Sequence, residues 1–169
     1  MIRLVFVSLL FAALAAVSAS ASEYVQIPVV RLEAEAVVDA PAEEVWASVT
    51  TGRSLVTWCP YWKAEGNAGI VLTKVGDILD FTDSWGNGGQ SVVTYIEPGK
   101  EIRIAHEPTD GSYLCQARIV LSPSGTGTQV LYVEQYTDGS APEDRDATAE
   151  KMGAEMDATL AKLKALVEK

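Results

Sequence analysis

The stretch RLEAEAVVDAPAEEVWASVT, Arg31 to Thr50, decides the fold. Its first half alternates. Leu32, Ala34, Ala36 and Val38 fall on one side and Arg31, Glu33 and Glu35 on the other, which is the period of a half-buried strand. Ala40-Pro41 stops that strand. Pro41 suits a first helical turn, and Glu43 and Glu44 complement the positive end of the helix dipole. Ala42, Val45, Trp46 and Val49 then follow i, i+3, i+4, i+7 spacing, so one helix face is apolar and Trp46 belongs to the core. Thr51-Gly52 ends the helix, and a second short one is predicted over Arg53 to Thr57.

Downstream the pattern changes to β. Short strands are predicted over Ile70 to Thr73, Asp77 to Asp83, Gln90 to Ile96, Glu101 to His106, Tyr113 to Leu121 and Thr128 to Thr137. Turn residues separate them: Asn87-Gly88, Pro98-Gly99, Pro108 to Gly111 and Ser122 to Gly127. Turns at such short intervals describe an antiparallel meander, and Asn-Gly is a hairpin signal because both residues tolerate positive φ. Ser140-Ala-Pro-Glu143 reads as a capping box. Ala149, Met152, Met156, Leu160, Leu163 and Val167 then mark one face of a long amphipathic helix. The fold class is α+β: a curved antiparallel sheet of about seven strands, two short helices after the first strand, and a long C-terminal helix over the concave face. A sheet wrapped around one helix leaves room for a cavity between them.

The chain has 169 residues, enough for one domain, and a net charge of −10, which repels phosphates and argues against a nucleic-acid partner. One histidine and two cysteines cannot build a multi-ligand zinc or iron–sulfur site alone, so no metal is expected. No phosphate loop, serine-hydrolase elbow or dinucleotide fingerprint is present, and no cofactor is expected. The mean hydropathy of +0.11 is concentrated at the start. Arg3 precedes an apolar run from Leu4 to Val17, which ends in Ala19-Ser20-Ala21, the pattern of a secretory signal peptide over residues 1–21. The run is shorter than the roughly 20 residues a bilayer-spanning helix needs. Cleavage after Ala21 would release residues 22–169 as an exported domain, periplasmic or secreted, without a stable membrane anchor.

The segment from Ala34 to Thr50, with its Ala-Pro-x-x-x-Val-Trp phrase, resembles the opening of START-like (SRPBCC) helix-grip proteins. It is most similar to the bacterial branch of polyketide cyclases/dehydrases and activators of heat-shock-chaperone ATPase. Thr57-Trp58-Cys59-Pro60, Val75-Gly76-Asp77, Glu97 to Ile102 and Leu121 to Thr128 match that branch's recurrent phrases. Met152-Gly153 through Leu163 resembles its closing helix, with Ala154 where the family often has tryptophan. The resemblance spans Leu32 to Val167. It implies a deep, largely apolar cavity and a superfamily whose members mostly bind hydrophobic small molecules, a minority being enzymes.

Strand parity selects a cavity-facing set. Counting back by two from Leu121 gives Ile119, Ala117, Cys115 and Tyr113. The neighbours give Ile102, Ile104 and His106, then Val130, Tyr132, Glu134 and Tyr136. Trp58, Trp62 and Trp85 lie in or beside loops, where aromatic residues can rim a pocket mouth. From the sheet, Ile104, His106, Tyr113, Cys115, Ala117, Tyr132, Glu134 and Tyr136 are the candidate ligand contacts. Trp58 and, on the helix, Met152, Met156 and Leu160 complete them. Cys59 and Cys115, the two thiols, are either bridged, which export permits, or two separate buried thiols.

Three functions fit these residues. The first is an exported binder of a lipid-like, aromatic or polyketide-like molecule. The second is a cyclase or dehydratase in which His106 acts as general base, Glu134 orients it and a tyrosine hydroxyl holds an enolate-like oxygen. Against that, a lone histidine is more often structural than catalytic. The third, a protein-interaction module like the chaperone activators, is disfavoured by export.

Overall fold

The computed structural model describes residues 26–83 and 86–169. The predicted signal peptide and Trp85 lie outside these residues. The elements run β1 (Val29–Val38), α1 (Ala42–Thr50), α2 (Gly52–Trp58), α3 (Ala64–Asn67), β2 (Ile78–Thr82), β3 (Gly88–Glu97), β4 (Glu101–Pro108), β5 (Cys115–Ser124), β6 (Gly127–Thr137) and α4 (Pro142–Val167). The strands form one antiparallel sheet of order β1-β6-β5-β4-β3-β2. The three short helices carry the chain from one edge of the sheet to the other, and the meander then returns strand by strand until β6 pairs with β1. This α+β arrangement is the helix-grip architecture.

The sheet has six strands among the described residues, not seven. The segment predicted as a strand from Ile70 to Thr73 makes only an isolated bridge, Thr51 to Val71. Its polar groups are tied to the helices instead: the Gly52 amide donates to the Ile70 carbonyl at 2.7 Å and the Leu72 amide to the Thr50 carbonyl at 2.8 Å. A third short helix, α3, was also not predicted. In the β2–β3 turn the positive φ falls on Gly86, at 90°, rather than on Asn87-Gly88. The Asp83 carboxylate fixes that turn by accepting the Asn87 backbone amide at 2.8 Å and its side-chain amide at 3.0 Å. The predicted capping box does not form. Ala141 is the N-cap of α4, Pro142 opens the helix, and the Ser140 hydroxyl donates to Asp138 at 2.5 Å. Pro142 pre-sets the helical φ without needing a cap, and Glu143 and Asp144 complement the dipole.

Inward-facing Val38, Ile102, Ile104, Ile119 and Val130 pack against Val45, Val49 and Leu55 of α1 and α2 and against Met156, Leu160 and Leu163 of α4 in one core. Each such side chain stabilises the fold by about 1.5–3 kcal/mol when fully buried. Trp46 is half-buried and packed on this core. Trp58 and Trp62 are inside it, 1% and 4% exposed, their rings edge to face at 5.9 Å, so neither rims an opening. The end of α4 is clasped to the end of β1. Lys164 Nζ donates to the Val37 carbonyl at 2.6 Å, and the Asp39 amide donates to Glu168 Oε1 at 2.6 Å. The C-terminal half of α4 therefore closes the core, while its N-terminal half stands over the other end of the sheet.

Candidate ligand-binding site

A cavity of about 350 Å³ lies between that end of the sheet and the N-terminal half of α4. Its construction follows from strand register. Ser91, His106, Cys115 and Tyr136 are successive partners across β3, β4, β5 and β6, so they form one row on the inward face. Ile104, Ala117 and Glu134 form the next row, and Ile102, Ile119 and Tyr132 the one after. His106, Cys115, Glu134 and Tyr136 line the cavity. Phe81 and Asp83 on the β2 side, Tyr61 after α2, Tyr113 before β5, and Asp144, Thr148 and Met152 on α4 enclose it. Asp138, Gly139 and Ser140, which lead into α4, complete the rim.

Six of the residues expected to contact a ligand thus meet at this cavity or beside it on the same row: His106, Tyr113, Cys115, Glu134, Tyr136 and Met152. The other six do not reach it. Trp58, Ile104, Ala117, Tyr132, Met156 and Leu160 point inward but are sealed in the core at 1–3% exposure. Parity fixes which face a strand residue takes, not how far along the sheet it lies. Tyr61, Phe81, Asp83, Asn87, Asp144 and Thr148 were missed: Phe81 lies on β2, Asp144 and Thr148 on α4 and the others in loops, and only the chain crossing brings them together.

His106 is half-buried, between the rings of Phe81 at 5.5 Å and Trp62 at 6.2 Å. Its Nδ1 is 2.8 Å from Ser91 Oγ, and the buried Trp62 Nε1–H donates to that same oxygen at 3.0 Å. Ser91, not Glu134, therefore orients the imidazole. Burial with no compensating charge pushes its pKa down from 6.5 to about 4, so the ring is neutral at neutral pH and a weak proton acceptor.

Glu134 is 5% exposed and accepts a hydrogen bond from the Tyr132 hydroxyl. Burial raises its pKa, and the nearby Glu155 carboxylate adds to the rise. Glu155 itself accepts from the Tyr61 hydroxyl and pairs with Lys151 at 3.8 Å. The Tyr113 hydroxyl donates to Asp83 at 3.2 Å. The Tyr136 hydroxyl is buried and has no hydrogen-bond partner among the described residues.

Both cysteines are free, so the structure does not contain the bridge that their even number allowed. Cys59 closes α2 as its C-cap inside the core, whereas Cys115 begins β5 and faces the cavity. Burial pushes the Cys59 thiol up to about 12 and the Cys115 thiol well above its ordinary value. Among the described residues no group of three or more His, Cys, Asp or Glu side chains is placed to hold a metal ion.

A six-stranded sheet gripping one long helix, with a cavity between them, defines the SRPBCC-type helix-grip superfamily. Within it, the chain belongs to the family described as polyketide cyclase/dehydrase and lipid transport, whose pattern matches residues 29–168. Comparison with curated proteins finds no match. Among solved structures, the chain is similar to protein CV1439 from Chromobacterium violaceum, at 21% identity and a TM-score of 0.65, covering 82% of this chain and 97% of that one. It is similar to DynU16, from the dynemicin biosynthetic locus, at 19% identity and a TM-score of 0.63, covering 82% and 47%. It is also similar to the Aha1 dimer from Colwellia psychrerythraea, at 18% identity and a TM-score of 0.58, covering 82% and 96%. At these identities the likeness concerns the fold.

Proposed function

We propose that this protein is an exported carrier or receptor for a hydrophobic small molecule held between the sheet and α4. The observation that carries the reading is the cavity itself. At about 350 Å³ it falls within the roughly 300–1,000 Å³ range of small-molecule sites. Phe81, Met152 and the tyrosine rings give it apolar walls, and Glu134 and the Tyr136 hydroxyl supply buried polar groups. Family membership supports the same reading, since lipid transport and polyketide chemistry both require a hydrophobic molecule to be taken out of water. The Leu4 to Val17 run and Ala19-Ser20-Ala21 support export. Native mass spectrometry of the purified chain, with organic extraction, tests the binding. A stoichiometric apolar molecule that extraction removes is expected, and a cavity that takes up no apolar probe would refute it. N-terminal sequencing after Ala21 tests export.

The cyclase or dehydratase reading has less support. A general base acting near neutral pH is best matched by a pKa near that pH, and His106 lies well below it, on Ser91 rather than on a carboxylate.

A further inference from the structure

The cavity's charge is one-sided. Asp83, Glu134, Asp138 and Asp144 line it, and no lysine or arginine does among the described residues. The cations nearby are engaged on other groups. Arg145 reaches the Ser140 carbonyl at 3.4 Å and lies near Asp138, and Lys151 pairs with Glu155. Three of the four carboxylates have local duties or sit at the rim: Asp83 holds the β2–β3 turn, Asp138 holds Ser140, and Asp144 is exposed at the start of α4. Glu134 differs from these. It is 5% exposed, it has no cationic partner among the described residues, and its one hydrogen bond comes from Tyr132.

A second observation points to a ligand independently. Tyr136, on the same strand two residues away and facing the same way, is 6% exposed, and its hydroxyl is the one buried side-chain polar atom without a partner among the described residues. Leaving such a group unpaired is costly, so a polar group brought to it would be favoured. The aromatic residues Tyr61, Phe81, Tyr113 and Tyr136 line the same space, and an aromatic ring can attract a cation.

We propose that the cavity selects an amphipathic amine, its ammonium group against the Glu134 carboxylate and the Tyr136 hydroxyl, its apolar part along Phe81 and Met152. This rests on the reading of the cavity as a hydrophobic-ligand site and names the class of ligand. It excludes fatty-acid-like and phosphate-bearing ligands, whose negative charge would meet four carboxylates and no balancing cation.

The test is calorimetric titration of the full chain with three probes of equal chain length, decylamine, decan-1-ol and decanoate, each below its micelle concentration. Decylamine is expected to bind at least about tenfold more tightly than decanol, with decanoate weakest, the size of one charge-assisted hydrogen bond in a dry site. Glu134→Gln preserves shape and can still accept the Tyr132 hydroxyl. It is expected to abolish the advantage of the amine over decanol, and Tyr136→Phe to weaken the amine further. If decanol or decanoate binds as tightly as the amine, the amine inference fails and the hydrophobic-ligand reading stands. If Glu134→Gln weakens all three probes equally, the carboxylate is structural and the inference also fails. If none of the three binds, both readings fail.

Discussion

Ser91 and His106 face one another across the β3–β4 ladder, with Ser91 Oγ 2.8 Å from His106 Nδ1. Trp62 Nε1–H donates to that same serine oxygen, and the serine hydroxyl and the imidazole Nδ1 share the next hydrogen bond. A buried indole, a hydroxyl and an imidazole thus form one chain ending at the cavity.

The first prediction concerns acid. The fold holds the imidazole at about 4 against 6.5 when unperturbed, so it favours the neutral ring. The resulting stabilisation is fully present above about 6.5 and is lost as pH falls towards 4. An NMR titration of the single histidine should give a midpoint near 4 in the folded protein. A midpoint near 6.5 would show that the ring is solvated.

Ser91→Ala removes the middle of the chain. It leaves the Trp62 N–H buried without a partner, at a cost of about 1–3 kcal/mol in urea unfolding. The histidine midpoint should move in the same variant, which a purely structural serine would not cause.

Glu101 is the clearest ionic anchor of the outer face. It accepts from Arg103 at 2.6 Å and, in a two-pronged contact, from Arg118 at 2.8 and 2.9 Å. Arg118 and Arg103 together hold its carboxyl down at about 2 instead of 4.5. Its contribution is present above about 4.5 and lost as pH falls through about 2. With both guanidinium groups partly exposed and screened, Glu101→Gln should cost about 1–2 kcal/mol at neutral pH. The gap to the parent should close in acid; a constant gap down to pH 2 would contradict the ion pairing.

Gly89 is fixed by space. A Cβ there would lie 2.3 Å from the Glu107 carbonyl oxygen and 2.6 Å from the Phe81 ring. Gly89→Ala should destabilise the sheet by about 1–3 kcal/mol through overpacking. It should also change the environment of His106, which packs against Phe81. Parent-like unfolding and an unshifted histidine would contradict the close approach.

The free thiols give a mass test. Intact mass should be the same with and without reductant, and the buried Cys59, at about 12, should resist alkylation until the protein is unfolded. A two-dalton change on reduction would restore the bridge.

The alternation from Leu32 to Val38 and the helical spacing from Val45 to Val49 made the first strand and helix legible, because both periods are local. Parity likewise placed His106, Glu134 and Tyr136 on the inward face. It could not separate Tyr136, at the cavity end of β6, from Tyr132 four residues further into the core. Tyr61, Asp83 and Ser91 were invisible as partners, because the crossing through α1–α3 and the β3–β4 register bring them together over long sequence distances. The segment Ile70 to Thr73 misled because a short apolar run looks the same whether it pairs in a sheet or packs under helices.

The central claim is that the cavity under the N-terminal half of α4 holds an apolar molecule. Met152 lines that cavity, while Met156, one turn later, is 2% exposed in the core. Methyl NMR of these two methionines during titration with decan-1-ol and decylamine is the most direct test. A saturable shift of the Met152 methyl, with Met156 nearly still, is the predicted result; a Met152 signal that stays unchanged at saturating concentrations of both would contradict it.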